Sequence, residues 1–228
     1  MTFPPLSLGK RTRSALRAGL VVIASLSAVA TLTALDATPV AAAEGERPVN
    51  ELAPEIIAAA EQAVAALEAY KTTGSVADER TLAWHRAIAA RYTAQQLGYD
   101  ELSMVAAWSS TTLDHQRAVL GALTQVGVPY RTNSSVEGEG FDCSGLTTYA
   151  WQGSGLELFR QSGSQISQAK RLPRDQAKAG DLVHYPGHVM LYLGVDNAIV
   201  HSVQTGRTVE IDTIGRGVVS FGDPTVSL

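Results

Sequence analysis

The sequence has few of the features that define disulfide-rich, fibrous or nucleic-acid-binding proteins. Its 228 residues include one cysteine, so no disulfide can close within the chain. Basic residues are also scarce, because after residue 43 there are 14 basic and 21 acidic side chains, a formal charge of −7. Proteins that bind a phosphate backbone need a surplus of Lys and Arg on one face, so we expect no nucleic-acid partner. The hydrophobic fraction of 45% is ordinary for one or two compact domains and excludes a collagen or a disordered acidic tail.

One long apolar run is present, and it lies close to the N-terminus. Basic residues from Lys10 to Arg17 precede the apolar run 18–35, and Ala41-Ala42-Ala43 stands directly before Glu44. This order predicts a signal peptide over residues 1–43, with cleavage before Glu44. A retained membrane anchor is the alternative, because 18 apolar residues lie at the lower limit for spanning a bilayer. The four hydroxyl residues in the run favour cleavage. We therefore expect a secreted or cell-wall protein without a stable membrane anchor.

The segment from Pro54 to about Ser109 has the periodicity of amphipathic helices. Apolar residues recur at three-and-four spacing until Thr73-Gly74, where a first helix should end. An i, i+4, i+8 stripe on the next helix indicates a packing surface rather than a ligand platform; it consists of Trp84, Ile88 and Tyr92. This segment contains no catalytic constellation. Residues 44–110 are therefore predicted to be a helical N-terminal region, which could contact a cell-wall or division partner.

One more amphipathic helix is predicted over Leu113–Val126. After Trp151 the pattern changes, and short β-branched runs alternate with turn residues. These runs are Asp181–Tyr185, His188–Leu193, Ala198–Ser202 and Val209–Ile211. Helices followed by strands predict an α+β domain with an antiparallel sheet over residues 111–228.

Cys143 is the first candidate for chemistry. It lies in Gly140-Phe141-Asp142-Cys143-Ser144-Gly145-Leu146, and the residues that follow can form a helix with Cys143 in its first turn. The unpaired N–H groups and the dipole at a helix N-terminus favour a thiolate, which is a better nucleophile at neutral pH. The alternative is a buried cysteine that acts as a small apolar residue.

A cysteine nucleophile needs a base, and the sequence has five histidines. His188 and His201 lie on neighbouring predicted strands; if Leu193 pairs with Ala198, they are diagonal neighbours on one face, roughly 7–8 Å apart at Cα. One imidazole could then hold the other. His184 is a poorer candidate because its neighbours indicate packing or exposure. The remaining two, His85 and His115, lie on amphipathic helices, where an exposed or partly packed histidine is expected.

A zinc site is the alternative use of these residues. Cys143, His188 and His201 could supply three ligands, but no carboxylate is placed to act as the usual base beside the metal. His184 and His188 are four residues apart, yet Pro186-Gly187 between them excludes a shared helical face. We therefore expect no bound metal.

Several motifs in order resemble the NlpC-type cell-wall cysteine peptidases, a papain-like family that acts on peptidoglycan. The resemblance runs from Leu120 to about Asp212 and rests on five motifs. They are Gly127-Val128-Pro129-Tyr130, Phe141-Asp142-Cys143-Ser144-Gly145-Leu146, Ala179-Gly180-Asp181-Leu182-Val183, His188-Val189-Met190-Leu191-Tyr192-Leu193-Gly194 and Ile199-Val200-His201. Two departures are Arg131-Thr132-Asn133-Ser134, where the family has an aromatic residue and two glycines, and Met190, where it has glycine.

The resemblance implies a role for each matching residue. Cys143 would be the nucleophile, His188 the general base and His201 the residue that orients it. Tyr130 would line the oxyanion site, while Asp142 and Ser144 would contact substrate, with no cofactor. The implied activity is that of an exported endopeptidase cutting peptidoglycan stem peptides between D-glutamate and meso-diaminopimelate. An N-acetylmuramoyl-L-alanine amidase and a non-catalytic cell-wall-binding or regulatory protein are the alternatives.

Overall fold

Helices make up the first part of the chain that the structure describes. The computed structural model describes residues 50–215 and 217–227, so the predicted signal peptide lies outside the described residues. The helices are α1 (Ala53–Thr73), α2 (Val76–Leu97), α3 (Glu101–Ser109) and α4 (Leu113–Leu123). Side-chain oxygens of Ser75, Asp100 and Thr112 cap the last three by accepting backbone N–H groups. The predicted helical segment is confirmed.

An antiparallel sheet forms the second part. Two helices precede all six strands of this sheet, α5 (Cys143–Gln152) and α6 (Ser162–Gln168), and a separate two-stranded ribbon precedes α5. The ribbon consists of β1 (Ser135–Val136) and β2 (Gly140–Phe141). The strands of the sheet are β3 (Ala169–Leu172), β4 (Leu182–Tyr185), β5 (His188–Tyr192), β6 (Ala198–Ser202), β7 (Val209–Thr213) and β8 (Ser220–Ser227). The six-stranded sheet has the order β3-β8-β4-β5-β6-β7, and each neighbouring pair is antiparallel. The predicted α+β class with an antiparallel sheet is confirmed.

The register between β5 and β6 is the one that the sequence predicts. Leu191 pairs with Val200, and the Leu193 N–H donates to the Ala198 carbonyl at 2.9 Å. Side chains alternate along a strand, so this register keeps His188 and His201 on one face of the sheet.

Two strands of the sheet, β3 and β8, were not predicted. The sequence of β8 contains Gly222, Asp223 and Pro224, which are typical of turns, and its pairing with β3 is irregular near Ala169. It nevertheless lies between β3 and β4, because pairing on both sides stabilises it. Such long-range pairing leaves no periodicity in the sequence.

The helical region packs against the sheet within one compact unit. The Asn50 side chain accepts from the Ile211 N–H and donates to the Ile211 carbonyl, both at 2.8 Å. Trp108 is buried, and its Nε1 donates to the Leu193 carbonyl at 2.8 Å. These contacts cross the predicted boundary between residues 110 and 111, which stays a prediction.

The predicted aromatic stripe on α2 is only partly a packing surface. Ile88 and Tyr92 are half-buried against the core, as predicted. Trp84 is 67% exposed, so its assignment to the packing surface was wrong. Among the described helices, none combines the length and apolar character that a bilayer crossing requires.

Candidate active site

Cys143 opens α5, as the sequence predicts. Asp142 stands at the N-cap, where its Oδ1 accepts the Gly145 N–H at 2.7 Å. The thiol is buried and forms no disulfide. Helix α5 packs against β5, and the Val189 N–H hydrogen-bonds to the Cys143 sulfur. The nucleophile candidate is thus held beside the first residues of the strand that begins with His188.

The ionisation of Cys143 differs from the expectation. Burial raises the pKa of the thiol, and the negative charge of Asp142 adds to this effect. Hydrogen bonds from the Val189 and Ser144 N–H groups and the Ser144 hydroxyl lower the pKa without cancelling the rise. The helix N-terminus was predicted to favour the thiolate, but the pKa of Cys143 is raised instead, because desolvation is the larger effect. For Cys143 to act as a nucleophile near neutral pH, a neighbouring base would have to accept its proton.

His188 and His201 form a hydrogen-bonded pair. Nε2 of His188 lies 2.8 Å from Nδ1 of His201, and the rings meet edge to face at 5.1 Å between centroids. Both imidazoles are buried, and Tyr185 stacks on His188 at 5.2 Å between centroids. The prediction that one imidazole can hold the other is confirmed in geometry. Since Nε2 of His188 is engaged with His201, any proton exchange between His188 and Cys143 would have to use Nδ1.

The other predicted histidine on the sheet lies on the opposite face. His184 pairs with Val189 in the β4–β5 register, so its side chain points away from the face of His188. Burial lowers the pKa of His184, and the positive charge of Arg171 lowers it further. His184 is therefore neutral near pH 7.

His115 is a correction to the expectation of an exposed or partly packed histidine. It is 3% exposed, with Nδ1 at 2.8 Å from Thr112 Oγ1 and Nε2 at 3.2 Å from Asp181 Oδ1. Asp223 Oδ1 lies 3.6 Å from the same nitrogen. The ligand atoms of His115, Asp181 and Asp223 all lie within 4.8 Å of one another, which is close enough to share a metal ion. The hydrogen bonds already satisfy the buried imidazole, and they connect α4 to the start of β4 and to β8.

Asp142 and Ser144 are buried and share one partner, Arg160, which the sequence analysis missed. The Arg160 guanidinium donates to both Asp142 oxygens, at 2.9 and 2.7 Å, and to Ser144 Oγ at 2.9 Å. Although burial raises the pKa of Asp142, the bonds from Arg160 and from the Gly145 and Asn133 N–H groups bring it below its usual value. The only signal in the sequence was an isolated arginine, and its distance of 18 residues from Asp142 follows no local pattern.

Tyr130 lies near the same group of residues. Its pKa is raised by burial, and the Cys143 sulfur, when ionised, and the Asp142 carboxylate raise it further. Its hydroxyl thus stays protonated and can donate a hydrogen bond near the thiol. The structure brings Tyr130, Asp142 and Ser144 to the N-terminus of α5, while their predicted contacts with substrate and oxyanion stay predictions.

Met190, one of the departures from the family pattern, is a core residue. It is buried in a small apolar cluster on the His188 face of the sheet, with Val183, Tyr192, Ile199 and Phe221.

Comparison with known proteins places this site in a family. Residues 127–220 match the sequence model of the NlpC/P60 family. Over these residues the chain is similar to that family, which confirms the resemblance in the motifs.

Two of the relatives have informative names. The peptidoglycan endopeptidase RipB of Mycobacterium tuberculosis is 35% identical over 114 residues, 43% of this chain and 47% of that protein. The gamma-D-glutamyl-L-lysine dipeptidyl-peptidase of Bacillus subtilis is 35% identical over 97 residues, 39% of this chain and 32% of that protein. The chain thus matches less than half of the length of these relatives.

Solved structures with similar domains include one described as non-catalytic. The P60 domain of an antigen from M. avium subspecies paratuberculosis is 28% identical, with a TM-score of 0.44 over 49% of this chain and 94% of that one. RipD of Mycobacterium tuberculosis, described as a non-catalytic peptidoglycan-binding protein, is 28% identical, with a TM-score of 0.42 over 49% of this chain and 98% of that one.

Proposed function

We propose that this protein is an exported cysteine endopeptidase that hydrolyses peptidoglycan stem peptides between D-glutamate and meso-diaminopimelate. The observation that carries the proposal is the 2.8 Å bond between His188 and His201, together with the bond from the N–H of Val189, the residue after His188, to a buried cysteine at a helix N-terminus. The name of RipB supports peptidoglycan as the substrate. The name of the Bacillus subtilis relative contains a γ-D-glutamyl group, which is also the acyl side of the proposed bond.

The proposed reaction begins with proton transfer from Cys143 to His188. Because burial keeps the thiol protonated, Nδ1 of His188 accepts its proton as the sulfur attacks the amide carbonyl. The oxyanion that forms is stabilised by the Cys143 backbone N–H and the Tyr130 hydroxyl. The His188 imidazolium then protonates the leaving amine, and the amide C–N bond breaks to leave a thioester on Cys143.

The second half of the reaction returns the enzyme to its initial state. His188 takes a proton from water while the water oxygen attacks the thioester. The tetrahedral intermediate collapses, the carboxylic acid leaves, and the proton held by His188 returns to the sulfur. His201 does no proton transfer in this scheme; its bond to Nε2 of His188 keeps that ring oriented and fixes its tautomer.

The test is to incubate the purified protein with defined stem peptides and to weigh the products by mass spectrometry. Cleavage between D-glutamate and meso-diaminopimelate, absent in the Cys143→Ala variant, is the expected result. Release of a whole stem peptide from N-acetylmuramic acid would instead identify an amidase. Binding of peptidoglycan without any product would identify a non-catalytic binding protein. The parent activity should survive chelators, and its loss there would point to metal chemistry.

Export is tested by sequencing the N-terminus of the protein recovered outside the cell. The expected first residue is Glu44. An intact apolar run 18–35 in that material would favour the membrane anchor.

A further inference from the structure

Strand β7 brings two carboxylates to the face of the sheet that carries His201. In the β6–β7 register His201 pairs with Glu210, and Ile199 pairs with Asp212. Since alternate residues of a strand share a face, His201, Glu210 and Asp212 all point to the same side. Glu210 is directly opposite His201 and Asp212 is its diagonal neighbour. The two acids have different partners.

Glu210 is already paired with Arg207, which lies in the connection between β6 and β7. It is 2% exposed, and Arg207 donates to both of its carboxylate oxygens. The Thr208 N–H and hydroxyl approach the same carboxylate at 3.4 Å. Its negative charge is thus compensated by Arg207, and it makes no hydrogen bond to His201 among the described contacts.

Asp212 divides its two oxygens between the backbone and His201. Oδ1 accepts the N–H of Thr213 at 2.7 Å, and Oδ2 lies 3.7 Å from Nε2 of His201. That nitrogen is buried and, within the described residues, has no hydrogen-bond partner. His201 and the Thr213 N–H both lower the pKa of Asp212, and their effect exceeds the rise caused by partial burial. An ionised carboxylate therefore stands just beyond hydrogen-bond distance of a buried imidazole nitrogen.

The proton on His201 decides whether His188 can act as a base. If Nε2 of His188 donates to Nδ1 of His201, then Nδ1 of His188 has a lone pair and can accept the thiol proton. His201 must then carry its own proton on Nε2, facing Asp212. In the opposite arrangement, Nδ1 of His201 donates, and a neutral His188 carries its proton on Nδ1. That form of His188 cannot accept the proton of Cys143.

We propose that Asp212 is a positioning residue that acts through His201 and selects the first of these two arrangements. An anionic oxygen attracts an N–H and repels a nitrogen lone pair, so Asp212 favours the proton on Nε2 of His201. The same charge stabilises the His188 imidazolium once the thiol proton has been transferred. This inference rests on the proposed function for its effect on rate, and on the geometry of β6 and β7 for its effect on the tautomer.

The first test measures the tautomers directly and requires no substrate. Nitrogen-15 NMR of the histidine-labelled protein distinguishes a protonated ring nitrogen from an unprotonated one. The expected parent spectrum, at a pH where both rings are neutral, has Nε2 protonated in both His188 and His201. In Asp212→Asn the amide can donate to Nε2 of His201, so the His201 proton should move to Nδ1. A parent with His201 protonated on Nδ1, or an Asp212→Asn spectrum equal to the parent's, would overturn the proposal.

The matched control is Glu210→Gln on the same strand and the same face. It removes the acid directly opposite His201, which is bonded to Arg207 instead. It should lower the melting temperature and leave the His201 proton on Nε2. A tautomer change in Glu210→Gln equal to that in Asp212→Asn would overturn the specific role of Asp212.

The second test is a double-mutant cycle on turnover. Asp212→Ala should lower kcat roughly 10- to 100-fold with little change in KM, and Asp212→Glu should recover part of the loss. In a His201→Asn background, Asp212→Ala should have almost no further effect, because the imidazole through which it acts is gone. Equal losses from Asp212→Ala in both backgrounds would contradict action through His201. If the parent hydrolyses no stem peptide while the nitrogen shifts follow the expectation, the proposed function fails and the positioning role stands.

Discussion

Arg160 and Asp142 form a two-point contact at the start of the helix that carries the candidate nucleophile. The guanidinium donates to both carboxylate oxygens, while one of those oxygens also caps α5 through the Gly145 N–H. The Asp142 carboxylate therefore binds the N-terminus of α5, the N–H of Asn133 and the Arg160 side chain at once. The position of Cys143 depends on this arrangement.

Loss of the Asp142 charge should destabilise the fold in a pH-dependent way. Asp142→Asn is expected to lower the free energy of unfolding by roughly 2 kcal/mol, because it leaves Arg160 without its paired charge. The pKa of Asp142 is lowered in the folded state, so this contribution is present above about pH 4, the unfolded value, and is lost as the pH falls through the folded value. Urea unfolding at a series of pH values should show the parent and variant converging in acid.

Asp114→Asn is the matched control for that measurement. Asp114 pairs with Lys71 at 3.3 Å on the surface, where both side chains are partly exposed. Its removal should cost less than about 1 kcal/mol. A loss in Asp114→Asn as large as that in Asp142→Asn would contradict a special role for the Arg160 contact.

Gly145→Ala should strongly destabilise the candidate site. A Cβ at residue 145 would lie 1.9 Å from the Ser134 carbonyl oxygen, so backbone must move to admit it. The expected result is a lower melting temperature together with loss of activity.

Gly121→Ala provides a helical glycine for comparison. There the nearest atom to a new Cβ is the end of the Arg117 side chain, which can rotate away. Since alanine favours a helix over glycine by about 1 kcal/mol, this variant should be neutral or more stable. Equal effects of the two substitutions would refute the close approach at Ser134.

His188 should control the pH at which Cys143 reacts. The raised pKa of the buried thiol means that a smaller fraction is thiolate at neutral pH than for a free cysteine, unless a base accepts the proton. In His188→Asn, the midpoint of iodoacetamide labelling against pH should therefore lie above about 8.5, the usual thiol value. The parent and His184→Asn should both label near neutral pH. A midpoint in His188→Asn at or below that of a free thiol would contradict this account.

Substitutions at His201 should have graded effects on turnover. His201→Asn and His201→Gln keep a hydrogen-bonding group for Nε2 of His188 and should retain much of the activity. His201→Ala should lose more, about 10- to 100-fold, because His188 loses its orientation. His188→Asn should lose about 1,000-fold or more, since an amide cannot accept the thiol proton.

Kinetics on a defined stem peptide separate these cases. Complete inactivation by Asn at both positions would mean that the two histidines are assigned wrongly or that both bind a metal. His184→Asn should have the smallest effect, because its side chain lies on the opposite face of the sheet.

Local sequence patterns accounted for the helices before Ser109, the helix that begins at Cys143 and the pairing of β5 with β6, whereas α6 was not predicted. The caps at Ser75, Asp100 and Thr112 and the first-turn position of Cys143 each depend on residues within one helical turn. The neighbouring placement of His188 and His201 followed from a short hairpin, in which the connection determines the register.

The sequence by itself therefore determined the residue types, the helix start at Cys143 and the hairpin that joins the two histidines. Only the tertiary structure decided what surrounds them. Burial outweighs the helix N-terminus at the thiol of Cys143, and Arg160 and Asp212 reach the site from other elements. Desolvation and long-range charge pairing depend on which atoms exclude water and which charges meet in space, and neither leaves a periodic pattern along the chain.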